Sequence, residues 1–340
     1  MAELPTTTDV AIMGGGFAGA ATAWALARRG VAAVVLEREP ALGRYASGRS
    51  AGLGRQLAED DGTSRLTIRG AEILRGELGA CWQPCGGILS FDVEAAAEVY
   101  AARAARLGVP VTRLDRDGVV ARWPGADELP IAAALLVPSD GVIDVAQLLA
   151  TYARAATVVC DARVDGIEPT ARGARLVGAR GAIDARVIVD ATGAWAGGLT
   201  GDAPLEAFKR HVYLLEAEPI DGAPFLWHLG ADELYVRGAG DELLVSPCDA
   251  RATPPADQQP DSIGDAMLHV RLASCAWSTA RVTRRWACQR AFTADRTMRL
   301  GRDPVRPWLV WAAGLGGHGA TASAAVGEVV AEACVAALAR

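Results

Sequence analysis

Residues 10–39 read VAIMGGGFAGAATAWALARRGVAAVVLERE. Val10-Ala11-Ile12-Met13 is a short apolar run suited to a strand buried on both faces, and Val31 to Leu36 reads as a second such strand. Between them Gly14, Gly16 and Gly19 satisfy G-x-G-x-x-G, and Ala20 to Arg29 has strong helix propensity. In that frame each glycine has a separate task. Gly14 permits the tight turn, Gly16 lets a pyrophosphate approach the backbone, and Gly19 lets the helix lie close on the sheet. The helix N-terminus adds unpaired N–H groups and the positive end of its dipole. Glu37 falls 18 residues after Gly19, at the tip of the second strand, where a carboxylate binds ribose hydroxyls and repels a ribose 2′-phosphate. The unit binds a dinucleotide, and both NAD and FAD fit it.

At 340 residues the chain exceeds the usual single-core size, so one large or two intertwined domains are expected. A net charge of −6 gives no reason to expect nucleic acid or an anionic membrane as partner. The opening MAELPTTTDV lacks the basic and apolar regions of a secretory signal. No uncharged apolar run reaches 18 residues, since AAVGEVVAEACVAALA carries two glutamates. The expected location is the cytoplasm, with no transmembrane segment. Seven cysteines (Cys81, Cys85, Cys160, Cys248, Cys275, Cys288 and Cys334) are scattered along the chain. The C-x3-C pair Cys81/Cys85 has no second Cys or His pair nearby to complete a zinc site. Free thiols are expected, with no metal and no disulfide framework.

LGRYASGRSAGLGRQLAED, a Gly-, Ser- and Arg-rich loop, is too long for a simple connection. TSRLTIRGAEILRGELG and EAAAEVYAARAARLGV read as helices flanking the strand GGILSFDV. Asp144 caps a further helix, and Val187 to Val189 is a buried strand ending on Ala191-Thr192-Gly193. Residues 209 to 247 alternate apolar and polar positions, which argues antiparallel strands. PWLVWAAGLGGHGATASAAVGEVV then repeats the opening theme of strand, glycine turn and helix. The expected fold is α/β plus antiparallel sheet. A Rossmann-like domain assembles from residues 1–78, 141–205 and 287–340, and an interleaved substrate domain of mixed and antiparallel sheet from 79–140 and 206–286.

Six landmarks carry a family likeness: IMGGGFAGAATAWALARRG, VVLERE, YASGRSAG, ATGAWAGGL, WACQRAFTAD and GLGGHGATASAAVGE. In these, and nearly end to end, the chain resembles the DAO family of FAD-dependent amine and amino-acid oxidoreductases. That family includes D-amino-acid oxidase, glycine oxidase and sarcosine oxidase, and the likeness is strongest to the bacterial D-arginine dehydrogenases. The resemblance implies FAD rather than NAD. It implies that Gly14, Gly16, Phe17, Ala18, Gly19, Glu37 and Arg38 hold the ADP half. Ser47, Gly48, Arg49, Ser50, Ala51 and Gly52 would run along the pyrophosphate and flavin, with the Val164 backbone on the adenine side. Ala191, Gly193 and Trp195 match a second FAD strand. Gly316, Gly317, His318, Gly319, Ala320 and Thr321 match the loop beneath the isoalloxazine. A helix starting near Ala320 points its positive end at the ring edge that becomes anionic on reduction.

By the same resemblance Arg290 clamps the substrate carboxylate, a task suited to a planar fork of donors. Tyr235 matches a pocket tyrosine. His318 stands where the D-arginine dehydrogenases have tyrosine, and is expected as a pocket wall or flavin contact. His211 stands where they have a second carboxylate-binding arginine, so it either donates one hydrogen bond or satisfies the core. His228 and His269 are read as structural. Leu53 and Ala58 replace a His and a Tyr of those enzymes, and their guanidinium-binding glutamate falls near Ser90 or Phe91. With Phe225 and Trp227 on the facing strands, the pocket is expected to favour neutral or apolar amino acids over arginine and lysine. Arg290 occupies the position of the flavin-linking Cys of monomeric sarcosine oxidases, so FAD is expected to be non-covalent.

The implied reaction is hydride transfer from an amino acid to flavin, giving an imine that hydrolyses to a 2-oxo acid and ammonia. Secondary amines of the glycine or sarcosine type are an alternative, as are 2-hydroxy acids with His211 or His318 as base. A non-catalytic FAD-binding accessory subunit is a further one. The partner is a small amino acid or amine with a carboxylate, and no motif chooses the electron acceptor.

Overall fold

In the computed structural model, which describes residues 3–202 and 205–339, the opening stretch folds as strand Thr7–Met13, helix Phe17–Ala27 and strand Ala33–Leu36. The helix begins at Phe17 rather than Ala20. Its first N–H is bonded 2.9 Å away by the Ser47 hydroxyl, a partner that local propensity does not see. The second strand begins at Ala33 rather than Val31, because the Val31 N–H still bonds the helix end at Leu26. A Cβ on Gly19 would lie 2.0 Å from the Gly14 carbonyl oxygen, so glycine is what allows the helix to lie this close to its strand.

Five parallel strands form the heart of the first sheet, in the order Thr157–Val159, Ala33–Leu36, Thr7–Met13, Gly181–Asp190, Leu309–Ala313. They come from the beginning, middle and end of the chain, as the repeated strand and glycine theme implies. Val10 and Ile12 pack on the helices Phe17–Ala27, Val145–Arg154 and Gly319–Leu338, whereas Ala11 and Met13 pack on the opposite face. The ten-residue strand Gly181–Asp190 serves two neighbours on one edge. Its first half pairs antiparallel with Gly173–Gly178, and its last residues pair with Leu309–Ala313.

The second sheet has nine strands and is antiparallel except where Phe225–Leu229 runs parallel to Gly87–Phe91. Strand Val282–Phe292 pairs along the whole length of Glu206–Leu215, so the position expected to divide domains, 286/287, falls inside a continuous strand. Side chains alternate across Glu206–Leu215 as strand geometry requires. Lys209, His211 and Tyr213 turn toward helix Ser262–Leu272 and its cap Asp261, while Arg210 and Val212 turn to the other face. That parity decides which side chains can meet a ligand.

The C-terminal helix Gly319–Leu338 has the length and apolarity of a membrane span, with mean hydropathy 1.5. It packs between helices Phe17–Ala27 and Asp61–Arg75, and over half of it is buried there. Each of the seven cysteines is a free thiol. Among the described residues no group of three or more His, Cys, Asp or Glu side chains is placed to hold a metal ion.

Candidate active site

Two cavities meet end to end at the carboxyl ends of the parallel strands, where open α/β sheets bind ligands. They hold about 1090 and 1250 Å³ of free space including their mouths, and both are lined by Gly16, Ser47, Ala191, Gly193 and Trp195. The result is one elongated trough.

The first half is the dinucleotide end. Gly14, Glu37, Arg38 and Val164 line it. Glu37 is buried, and its carboxylate accepts from Gly15 N at 2.7 Å and Glu39 N at 3.0 Å, which fixes it at the strand tip. The Arg38 guanidinium stacks 3.8 Å above the Trp195 ring and 4.7 Å from the Tyr45 ring. A Cβ on Gly16 would meet the Ser47 hydroxyl at 2.9 Å, so glycine lets Ser47 close on the first helix N-terminus at the cavity wall. Phe17, Ala18, Ser47, Arg49, Ser50 and Ala51 continue the wall toward the second half. Three of the residues expected to hold FAD line neither cavity. Gly19, Gly48 and Gly52 are points of backbone packing instead; a Cβ would lie 2.3 Å from Gly43 O at Gly48 and 2.5 Å from Ile143 O at Gly52. Arg49 reaches the trough with its guanidinium already taken by Asp257 and the carbonyls of Gln258 and Ala287.

The second half ends between the glycine loop Gly316, Gly317, His318, Gly319, Ala320, Thr321 and the nine-stranded sheet. The C-terminal helix opens at Gly319 with no side-chain cap, so its positive end faces the cavity. Gly317 takes φ +94°, and a Cβ there would sit 2.7 Å from Arg290 Cδ. Glycine is therefore what lets the loop close on that arginine. The Arg290 guanidinium meets no hydrogen-bond acceptor among the described residues, and its Nε is buried. Burial, and then the nearby Arg210, lower its pKa to about 10, which still leaves it charged at neutral pH. Tyr235 lines the same wall, edge-on to Trp227 at 5.2 Å, and burial raises its phenol pKa well above the usual value.

His318 lies in the cavity wall with Nε2 2.9 Å from Glu59 Oε2. Burial lowers its pKa, Glu59 opposes the fall, and Arg55 and Arg290 reinforce it. The ring is thus neutral near pH 7, and its bond to Glu59 leaves Nδ1 as an acceptor. Burial would raise the Glu59 carboxyl, but Arg55 and then His318 hold it well below the usual range.

His211 does not reach this site. It is buried on the opposite face of its strand, with Nδ1 2.8 Å from Asp249 and Nε2 accepting from Asp261 N at 3.2 Å. Its neighbour Arg210 takes the place instead, on the same sheet face as Arg290. Arg210 pairs across from Cys288, two residues before Arg290, so the two arginines are diagonal neighbours with Cβ atoms roughly 7–8 Å apart. Strand parity, applied from the cavity-facing Val212, was the signal for it. The apolar wall is also absent as drawn. Phe225, Ser90 and Phe91 are fully buried away from the cavity, and the Trp227 face is covered by a third guanidinium, that of Arg55, at 4.1 Å.

A nucleotide-sized trough that ends among arginines suits a dinucleotide-binding protein whose far end can accept an anion. Residues 9–333 match the FAD dependent oxidoreductase (DAO) family, and the chain belongs to it. FAD is the cofactor of that family, and the glycine cradle, helix terminus and Glu37 fit it. Mitochondrial sarcosine dehydrogenase of Mus musculus is 29% identical over a 272-residue alignment that covers 71% of this chain and 29% of that protein. The chain thus spans less than a third of that relative. L-proline dehydrogenase from P. horikoshii superposes with TM-score 0.87 at 22% identity, covering 97% of this chain and 93% of that one. Glycine oxidase from Geobacillus kaustophilus superposes with TM-score 0.84 at 24% identity, covering 98% and 95%. At these identities the two structures establish the shared fold.

Proposed function

We propose that the protein oxidises the C–N bond of a carboxylate-bearing amine to an imine, which hydrolyses to a 2-oxo acid and ammonia. D-amino acids stand first, because the sequence landmarks resemble the D-arginine dehydrogenases most. The observation that carries this reading is Arg290: a guanidinium without an acceptor among the described residues, its Nε buried, held against the glycine loop at the end of a FAD-sized trough. FAD, when bound, supplies the hydride acceptor. Arg290 and Arg210 bind the carboxylate and so fix the α-carbon in front of the C-terminal helix. His318 Nδ1 accepts the proton that the ammonium group must lose before the C–N bond can be oxidised. Cys288 is a buried thiol whose pKa is raised by burial, so it stays neutral and leaves the flavin unattached.

The test is anaerobic bleaching of the flavin by a panel of D-amino acids, L-amino acids, N-methyl amino acids and 2-hydroxy acids. Bleaching by amino acids supports the reading, and bleaching by hydroxy acids alone defeats it. The His318–Glu59 pair is what keeps the hydroxy-acid reading in view, since the same acceptor can take a hydroxyl proton. A panel with no bleaching at all would favour an accessory role.

A further inference from the structure

The carboxylate clamp uses two of the three guanidinium groups at this end of the trough, and the third is unexplained. Arg55 is 2% exposed and lines the same cavity. Its Nη2 donates to Glu59 Oε1 at 2.6 Å, but Nε and Nη1 are buried and meet no acceptor. One face of the fork lies on the Trp227 indole, so a partner must come in at the donor edge. A buried cation left with two unpaired donors is expensive, and arginine tolerates it where an anion arrives to complete the fork.

The neighbouring acids do not complete it. Glu59 divides its oxygens between Arg55 and His318 Nε2. Glu233 accepts from Trp227 Nε1 at 3.0 Å, and Asp140 turns Oδ1 to the Gln56 backbone and side chain while its buried Oδ2, though in the field of Arg55, makes no hydrogen bond to it. The three arginines also enter the cavity from different places in the fold. Trp227, under Arg55, lies three strands from Arg210 in the sheet order, about 14 Å at ordinary strand spacing. The strand carrying Tyr235 lies between them, and long side chains converge on the cavity from both sides.

We infer that Arg55 binds a second acidic group of the substrate, which makes the preferred substrates amines or amino acids bearing two carboxylates. This rests on Arg290 and Arg210 holding the first carboxylate. It also accounts for guanidinium groups gathered on a wall that is otherwise largely apolar.

Titration of the FAD-loaded protein with unreactive acids tests it, read by the shift of the flavin absorbance. Malonate, succinate and glutarate are compared with acetate, propionate and butyrate. Aspartate and glutamate of both configurations are compared with alanine and leucine as substrates. In the wild type the best dicarboxylate should bind at least about ten-fold tighter than the monocarboxylates, the scale of one added charge-assisted pair. Arg55→Met should cut that advantage to within about two-fold while leaving monocarboxylate binding in place, and Arg55→Lys should keep part of it.

Equal binding of both acid series by the wild type overturns the inference and needs no variant. Equal weakening of both series in Arg55→Met would put Arg55 on the first carboxylate. Loss of FAD with selectivity unchanged would put it on the cofactor. The two readings fail differently. Dicarboxylate-selective binding without bleaching by any amine defeats the proposed reaction alone, whereas bleaching with a preference for alanine or leucine defeats the second acid site alone.

Discussion

Replacing Arg290 with methionine should separate binding from stability, moving the two in opposite directions. In the folded chain the Arg290 guanidinium stands beside Arg210 without an acceptor, with Nε buried, and its pKa falls from the ordinary 12.5 to about 10. At about 1.4 kcal/mol per pH unit, holding the charged form in the native state costs roughly 3 kcal/mol. Methionine is unbranched and fills the same channel without charge. The variant should therefore unfold a few degrees higher than wild type in the absence of substrate. It also loses the fork. A charge-assisted bond to a buried carboxylate is worth about 1.5–3 kcal/mol, so the KM for an amino acid should rise by one to two decades or more. Differential scanning calorimetry with and without substrate, beside steady-state kinetics, measures both. A variant that melts lower than wild type and keeps its KM would show that Arg290 is a structural ion with a partner, and the assignment of the substrate end would fall with it.

Gly16→Val should reduce FAD affinity by about 10- to 150-fold, because the new side chain takes phosphate space and crowds Ser47; flavin content of the purified variant reads it. Arg210→Met should raise KM, whereas His211→Asn should lower the melting temperature by the loss of a buried bond to Asp249, worth about 1–3 kcal/mol, with KM within about two-fold of wild type. If His211→Asn changes KM and Arg210→Met does not, the strand parity is misassigned. Asp140 is fully buried, and burial raises its pKa to about 7. Because the folded value lies above the unfolded one, the stability it contributes is complete at low pH and is lost as pH rises through 7. Asp140→Asn should flatten the melting temperature between pH 5 and 8; parallel profiles for the two proteins would contradict the burial argument. Acid precipitation should release FAD into the supernatant, and yellow colour in the pellet would reveal a covalent link.

The dinucleotide half was legible because its information is local. Gly14, Gly16, Gly19 and Glu37 lie in one β-α-β unit, the glycines acting through backbone geometry and Glu37 through a carboxylate fixed by its own neighbours. The three-segment sheet was legible for a related reason: strands buried on both faces are near-continuous apolar runs. The substrate half was harder, because it depends on which way a side chain points. A one-residue step along Glu206–Leu215 exchanges His211 for Arg210 and sends each to the opposite face. Family position alone pointed to His211. Arg55 was hidden for another reason. It belongs to a loop with no periodicity, and the Trp227 ring it lies on comes from a distant part of the chain.

The order of strands in the parallel sheet also sets a timetable for the growing chain. Strand Gly181–Asp190 emerges from the ribosome with Thr7–Met13 already available on one edge and the hairpin strand Gly173–Gly178 along half of the other. The remaining half waits for Leu309–Ala313, more than a hundred residues later. The intervening residues build most of a second sheet in the meantime, and its last long strand, Val282–Phe292, carries Arg290. Pairings this distant in sequence are slow to form and leave an open edge while they wait. Cofactor competence is consequently a late event in synthesis, and the Ile188–Asp190 edge is the segment for which a nascent chain most needs protection from other strands.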